Sequence, residues 1–374
     1  MTRRPLAALL PAVAHALGVP VAGDSEHSWL AAPLAGARHV VVLLVDGLGA
    51  RQLDAHAELA PTLAAMTELG PLAAPFPSST AVSLTSLGTG LPPGMHGIVG
   101  TAFRLDDGTT LAPLKWAADP NPIATQPDPT LLEQAAAAGV HVVTAAPIAH
   151  RDSGLTRAAM RGGEFPGAEK AADRVRVARE AIRCARQTGR TSLVYVYWPD
   201  LDKAGHVHGV ASPAYRTELG RVDRLVASLA DLAELAEPDV RLLVTADHGV
   251  LDVPEDRRID LEAVPALRAG VQTILGEPRV RHVYTEPGRA GEVRATWRRV
   301  LGERADVRSR AEAQPLFGPV DDWYADRIGD VVAIANDDWA LVSDRVDRIV
   351  SGLRGQHGAL TDDEVLVPLR ISAG

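Results

Sequence analysis

Three apolar runs without a polar face, each closed by acidic residues, place the strongest constraint on the fold of this 374-residue chain. The runs occupy residues 39–45, 193–198 and 240–244. Such runs are typical of strands buried on both faces of a parallel sheet. The acids that follow them are Asp46, then Asp200 and Asp202, then Asp247. Because parallel strands end at one edge of a sheet, we expect these acids to gather at a ligand-binding edge, with helix capping as the alternative at each position.

The segment after the second run carries a polar motif with helical spacing. Asp202 and His206 stand four residues apart, so both side chains would face the same way on one turn of a helix. A carboxylate and an imidazole that converge are ligands for a borderline divalent cation such as zinc. For an isolated motif of this kind, a polar loop with a helix cap and a solvated histidine is the alternative.

Further polar residues follow other predicted elements. Thr80 comes at the predicted start of a helix, where free backbone N–H groups favour an anion, although capping alone would also explain a threonine there. The potential metal ligands of the chain are Asp46, Asp202, His206, Asp247, His248 and His357. Six oxygen and nitrogen ligands are enough for two divalent sites that keep positions open for a substrate.

The order of predicted elements indicates an α/β protein. We predict a mostly parallel central sheet with helices on both faces, formed by residues 1–250 and 328–374. Residues 251–327 are predicted to form a small α+β insertion or cap. Residues 328–335 are predicted to be a strand that returns to the central sheet.

Composition and charge narrow the functional classes. Hydrophobic residues make up 46% of the chain and charged residues 23%, as in a soluble globular protein. The net charge of −9, without a dense basic run, argues against a surface that coats nucleic acid. No stretch reaches the roughly 18 apolar residues of a membrane span, so no membrane insertion is predicted.

The amino terminus bears on the location of the protein. Arg3 and Arg4 precede an apolar run that superficially resembles a signal peptide, but helical spacing of its leucines favours an amphipathic surface helix. We therefore predict a cytoplasmic protein, with secretion or a periplasmic location left open by this run. The sequence predicts no oligomeric state.

Five motifs in this order resemble those of the alkaline phosphatase superfamily, and within it the type I phosphodiesterase and nucleotide pyrophosphatase family. They are VDG at 45–47, a hydroxyl ten residues before GLPPGMHG at 90–97, DKAGHVHG at 202–209, ADHG at 246–249 and GQHG at 355–358. Each motif alone is weak, but five in the right order make a specific match. The resemblance covers about residues 40–249 and the segment around residue 357.

The resemblance implies a role for each candidate residue. The two sets of metal ligands that it implies are Asp202, His206 and His357 for one ion and Asp46, Asp247 and His248 for the other. Thr80 aligns with the nucleophile, whose hydroxyl would also contact the metal. Zinc is the expected ion and manganese the second choice. Asp200 occupies the family's Pro-Asp position, but only Asp202 has the four-residue spacing to His206, so Asp200 is assigned to a supporting position or a cap.

The implied activity is hydrolysis of a small phosphate ester by a two-metal phosphodiesterase with a threonine nucleophile and a phospho-threonine intermediate. The family's diesterases carry an asparagine three residues after the nucleophile, where this chain has Ser83. A phosphomonoesterase or a phosphonate hydrolase is therefore the alternative. A phosphomutase and a non-catalytic metal-binding or interaction protein are further ones.

The charge near the predicted nucleophile favours a diester. Residues 76–100, which should surround the phosphoryl group, contain no lysine or arginine. A monoester carries one more negative charge than a diester, and sites for monoesters usually add a cation to balance it. Arg104 or Arg151 folding into the site would remove this preference.

Overall fold

The computed structural model describes residues 3–235 and 239–372. Within them, the strands of the central sheet run in the order Thr67–Glu68, Arg370–Ile371, Val240–Thr245, His39–Val45, Ser192–Trp198 and His141–Ala145. The last four of these strands are parallel, and Arg370–Ile371 is antiparallel to both of its neighbours. All residues of His39–Val45 and Ser192–Trp198 are buried, as their lack of a polar face predicts. The predicted α/β fold is confirmed.

Helices connect these strands and pack against them. The longer helices are Leu9–Ala16, Thr80–Thr89, Leu131–Ala137, Ala171–Gln187, Asp200–His208, Pro213–Leu235, Ala290–Leu301 and Asp344–Ser351. The shorter α-helices include Ala50–Ala55, Pro61–Ala65, Pro93–His96, Gly154–Ala159 and Asp362–Val365. In the part of the chain that the structure describes, no helix combines the length and the apolar character needed to cross a bilayer.

The parallel register brings the acid-bearing strand ends together. Val45 lies opposite Trp198, and Leu44 lies opposite Thr245. The loop that begins at Asp46, the helix Asp200–His208 and the loop after Thr245 therefore leave the same edge of the sheet. This edge is where open α/β sheets bind ligands.

The amino-terminal helix differs from the expected surface helix. Leu9–Ala16 is helical, but every residue from Leu9 to Ala14 is buried. It packs next to the end of Thr80–Thr89, where a Cβ atom on Gly90 would lie 2.9 Å from Cγ of Pro11. Because residues 9–14 include no polar side chain, the helix has no face there to turn to water. The prediction of a surface helix is wrong.

A second sheet contains the strand that was predicted to rejoin the central sheet. Its order is Val271–Glu277, Val280–Thr285, Val331–Ala335 and Ala305–Ser309, and all neighbours are antiparallel. It has its own apolar cluster, centred on the buried Trp297. The predicted return of residues 328–335 to the central sheet is wrong, because an unbroken apolar run fits either sheet and only long-range pairing decides between them. The division into a core and an insertion at 251–327 stays a prediction.

Short strands link the second sheet to the edge of the central sheet. Leu251–Asp252 pairs with Gly355–Gln356, and Arg258–Asp260 pairs with Ala340–Val342. The first of these pairs ends directly before His357. The histidine predicted near the carboxyl terminus is thereby delivered to the edge where the acids lie.

Candidate active site

Thr80 is the first residue of the helix Thr80–Thr89, as the sequence predicts. Ser79 before it is extended, and the threonine side chain is nearly buried, with 8% of its surface exposed. Its Oγ1 lies 3.1 Å from Nε2 of His248. A hydroxyl at the positive end of a helix dipole is well placed to approach an anionic group.

The first group of candidate ligands comprises Asp202, His206 and His357, whose ligand atoms all lie within 4.8 Å of one another. Nε2 of His206 is 3.1 Å from Oδ2 of Asp202 and 3.3 Å from Nε2 of His357. The Nδ1 atoms of the two histidines lie 2.7 Å from the carbonyl of Gly355 and 2.9 Å from that of Ser78. Since Nδ1–H donates to a carbonyl in each ring, both Nε2 atoms are left free to face the shared centre.

The second group comprises Asp46, Asp247 and His248, again with ligand atoms within 4.8 Å of one another. Nε2 of His248 is 3.5 Å from Oδ1 of Asp46 and 3.3 Å from Oδ2 of Asp247. The amide of Gly47 donates to Oδ1 of Asp247 over 3.2 Å, which fixes that carboxylate. The rings of His248 and His357 stack with 3.6 Å between centroids, so the two groups adjoin. The structure thus brings all seven predicted site residues together at one edge of the sheet.

The structure also places the two competing acids of the second motif. Asp202 is buried in the first group, whereas Asp200 is exposed at the start of the helix Asp200–His208. Gly47 makes the approach of Asp202 possible, because a Cβ atom at this position would lie 2.7 Å from Cβ of Asp202. Gly47 also has φ +74°, a backbone conformation that favours glycine.

Burial and mutual repulsion shift the pKa values of the carboxylates in the cluster, an environment that favours a bound cation. Burial and the carboxylates of Asp247 and Asp202 raise the pKa of Asp46 well above its usual range. Burial, and then Asp202, also raise the pKa of Asp247. Burial opposes ionisation of Asp202 as well, but His206 holds the pKa of Asp202 below its usual range. Burial lowers the pKa of His206, yet Asp202 outweighs it and raises this pKa to about 9.

The donor set fits divalent cations. Asp46 Oδ1, Asp202 Oδ1 and Asp247 Oδ2 are buried and have no hydrogen-bond partner within the described ranges 3–235 and 239–372. Buried carboxylate oxygens without partners are costly unless a cation or a proton satisfies them. Each group offers three oxygen or nitrogen ligands, the number typical of catalytic sites that keep coordination positions open.

Tyr197 is a residue of the site that sequence patterns indicated only as part of a buried strand. Its hydroxyl donates a hydrogen bond to Oδ2 of Asp46. Tyr195 lies two residues earlier on the same face of the strand, and its buried hydroxyl has no hydrogen-bond partner among the described residues. The alternation of a strand predicts that both rings share one face, but only the parallel pairing with His39–Val45 brings one of them to Asp46.

Replacing Tyr197 by Phe should test this contact. We expect kcat/KM to fall by about 10-fold, because the carboxylate of Asp46 loses the donor that orients it. Tyr195→Phe is the matched control, since it removes a neighbouring hydroxyl that makes no hydrogen bond within the described residues. The activity of this variant should stay near that of the wild type. Equal losses in the two variants would show that Tyr197 does not act through Asp46.

A cavity of about 480 Å³ opens beside Thr80 and the first ligand group. Apolar side chains form much of its wall, among them Leu84, Leu155, Met160 and Phe165. Among the described residues that line it, Lys203 is the only lysine or arginine. The sequence did not reveal this cavity, because its lining comes from helices, strands and loops that are far apart in the chain and share no motif.

The two arginines that could have entered the site lie elsewhere. The guanidinium of Arg104 stacks on the ring of Tyr284, 4.4 Å from its centroid, and donates to Gln272. Arg151 forms an exposed ion pair with Asp152. Neither lines the cavity beside Thr80.

Ser83 is a buried residue near Thr80. Its side chain is fully buried one turn after Thr80, and its hydroxyl has no partner within the described part of the chain. At this position the resemblance implies an asparagine, and this chain has the shorter side chain of a serine, which offers a hydroxyl donor.

The central mixed sheet with its helices matches the alkaline phosphatase-like α/β fold. The family model for type I phosphodiesterase / nucleotide pyrophosphatase matches residues 40–360, and the chain belongs to this family.

Individual relatives match less closely. The chain is similar to human ectonucleotide pyrophosphatase/phosphodiesterase family member 5, with 25% identity over 178 residues that cover 46% of this chain and only 35% of that protein. The solved human structure has a TM-score of 0.69 and 19% identity, and the match covers 89% of this chain and 87% of that chain. The chain is also similar to an inactive threonine-to-alanine variant of murine ectonucleotide pyrophosphatase / phosphodiesterase 5, solved in complex with AMP. This structure has a TM-score of 0.66 and 20% identity, and the match covers 89% of this chain and 87% of that chain. At these identities the structures show the shared fold alone.

Proposed function

We propose that the protein hydrolyses phosphodiesters with Thr80 as the nucleophile. The observation that carries the proposal is the position of Thr80 Oγ1 at a helix start, 3.1 Å from His248 Nε2 and beside both groups of candidate ligands. Family membership supports a hydrolase acting on phosphoric esters. The murine relative that is inactive as a threonine-to-alanine variant supports a threonine nucleophile.

The cofactors in this proposal are two divalent ions, zinc in the first place and manganese in the second. One would be held by Asp202, His206 and His357 and the other by Asp46, Asp247 and His248. Such ions, when bound, supply positive charge that lowers the pKa of a nearby hydroxyl and offsets the charge of phosphoryl oxygens. The buried oxygens of Asp46, Asp202 and Asp247 that have no hydrogen-bond partner among the described residues support this assignment.

Protein groups around Thr80 bind the phosphoryl group and carry out two successive steps in this proposal. The first turn of Thr80–Thr89 presents backbone N–H groups to a phosphoryl oxygen, and the hydroxyl of Ser83 lies one turn further along. Thr80 Oγ1 gives up its proton to solvent and forms a bond to phosphorus while the bond to the leaving ester oxygen breaks. This gives a phospho-threonine and, once the leaving oxygen takes up a proton, a free alcohol. A water molecule then cleaves this intermediate and restores the hydroxyl of Thr80. The cavity beside Thr80 would hold one ester group of the substrate, and its apolar walls suit a ring better than a charged group.

Charge distinguishes the diesterase from the runner-up, a phosphomonoesterase. A monoester dianion needs one more positive charge than a diester, and Lys203 is the only basic lysine or arginine at the described wall of the cavity. Ser83 offers an uncharged hydroxyl donor where the resemblance implies the uncharged amide of an asparagine, so this position adds no positive charge. A phosphonate hydrolase would use the same groups, and a phosphomutase would need a sealed site to retain the phosphoryl group.

We expect kcat/KM for a bis-aryl phosphate to exceed that for the matching aryl monophosphate, measured at one pH and one metal loading. Lys203→Met is the control variant, since removal of this cation should weaken monoester turnover more than diester turnover and so raise the ratio. A clear preference of the wild type for the monoester would overturn the diesterase assignment. Turnover of an aryl phosphonate above both esters would favour the phosphonate hydrolase.

Three further points stay proposals. The substrate is a small phosphate ester, for which a nucleotide is one candidate given the AMP bound by the murine relative. A cytoplasmic location and the division of the chain at residues 251–327 are predictions that need fractionation and limited proteolysis.

A further inference from the structure

Glu364 is a fully buried carboxylate that no step of the proposed reaction uses. It lies on the short helix Asp362–Val365, next to the edge of the central sheet. Its Oε1 accepts a hydrogen bond from the amide of Ala359 over 2.9 Å, and its Oε2 accepts one from the hydroxyl of Thr361 over 2.7 Å. Glu364 therefore holds the segment that directly follows His357.

The backbone of the same helix holds the loop of the other ligand group. The amide of Gly249, the residue after His248, donates to the carbonyl of Glu364 over 2.8 Å. The contact is close, because a Cβ atom on Gly249 would lie 2.0 Å from the carbonyl oxygen of Asp363. One residue thus contacts both loops that carry the stacked histidines.

Arg279 reaches Glu364 from the second sheet. It lies in the turn between Val271–Glu277 and Val280–Thr285 and is fully buried. Its Nε and NH2 atoms donate to Oε1 and Oε2 of Glu364, each over 2.9 Å. The guanidinium also donates to the carbonyls of Asp337 and Trp339. These two residues lie in the loop that follows Val331–Ala335 of the second sheet.

We propose that Arg279 and Glu364 are positioning residues that set the loops of His248 and His357 relative to Thr80. A fully buried ion pair contributes little net stability, because desolvation of both charges offsets their attraction. Its bidentate geometry, however, fixes the carboxylate and with it the amide of Ala359. The same contact holds the helix Asp362–Val365, whose backbone carbonyl at Glu364 accepts from the amide of Gly249. The second sheet in this proposal serves the active site by supplying Arg279. The metal-binding part of the proposal rests on the proposed function.

The chain contains a matched control pair. Arg281, two residues after Arg279, is also fully buried and bidentate, with NH1 and NH2 at 2.5 and 3.1 Å from the carboxylate of Asp347. Its other contacts are the carbonyls of Leu341 and Gly276. No hydrogen bond in the described chain joins Asp347 to residues 247–249 or 357–359. Removal of this pair should cost stability without moving the ligand loops.

The test compares Glu364→Ala with Asp347→Ala by amide hydrogen exchange in the metal-free protein. Glu364→Ala should raise the exchange rate of Ala359 by about 10-fold or more, because this amide loses its acceptor, whereas Gly249 keeps the backbone carbonyl of residue 364 as its acceptor. Asp347→Ala should leave both amides protected. In the zinc-loaded protein, Glu364→Ala should release zinc to a chelator about 10-fold faster than Asp347→Ala does.

A second pair of variants covers a failure to fold. Arg279→Met with Glu364→Gln removes the ion pair without leaving an unpaired charge, and Arg281→Met with Asp347→Asn does the same for the control pair. Unchanged protection of Ala359 in Glu364→Ala, or zinc release from the Arg279→Met, Glu364→Gln variant that is no faster than from its control pair, would overturn the positioning role. If the wild type binds no divalent ion while the exchange result holds, the proposed function fails and the positioning of the loops stands.

Discussion

Replacement of Thr80 by Ala should abolish diester turnover, with a loss on the order of 10⁴-fold or more, as for other removed nucleophiles. The reason is structural: Thr80 Oγ1 is the hydroxyl that begins the helix Thr80–Thr89 and lies 3.1 Å from His248 Nε2. Thr80→Ser should keep part of the activity, because it retains the oxygen. Initial rates on a bis-aryl phosphate, with thermal unfolding as the check on the fold, measure the effect.

Two neighbouring serines provide controls for this result. Ser78→Ala removes a hydroxyl that donates to the carbonyl of Ala359, and Ser79→Ala removes one without a partner in the described chain. Both variants should lose much less activity than Thr80→Ala. Metal content should also stay near that of the wild type in Thr80→Ala, since the six carboxylate and imidazole ligands remain. Full activity of Thr80→Ala would assign the attacking oxygen to another group.

Replacement of Asp202 by Ala should remove one of two bound divalent ions and most of the activity. The remaining ligands of that group, His206 and His357, face each other at 3.3 Å and would be left without a carboxylate to balance an ion's charge. We expect a metal content close to one ion per chain, measured by elemental analysis after dialysis, against two in the wild type. A chelator should inactivate the wild type, and zinc or manganese should restore it.

Asp200→Ala is the matched control, because it removes a carboxylate two residues away on the same helix. Asp200 is exposed and outside the ligand group, so its removal should leave the metal content nearly unchanged. Loss of metal from Asp200→Ala instead of Asp202→Ala would show that the ligand of this motif has been misassigned.

Much of the candidate site could be predicted because its residues follow local rules. Asp202 and His206 share a helix face through their spacing, and Asp46 and Asp247 follow strands whose burial is evident from unbroken apolar runs. Parallel strands end together, so those ends had to meet. The structure brings these residues, Thr80 and both further histidines together, while their roles in metal binding and catalysis stay proposals.

Other features depended on pairings between distant parts of the chain. The run Val331–Ala335 is apolar throughout and suits any buried sheet, and its pairing with Val280–Thr285 decides that it lies in the second one. The contact of Tyr197 with Asp46 arises from strand alignment across 151 residues.

The α/β class, the acids at the strand ends and the helical spacing of Asp202 and His206 could all be inferred from local sequence patterns. Three features required the folded structure: the sheet that Val331–Ala335 joins, the position of the cavity, and the contact of Arg279 with Glu364 across 85 residues. Periodicity and strand burial are visible in neighbouring residues of the chain. A buried ion pair between a turn of the second sheet and a distant helix depends on tertiary packing and leaves no local pattern.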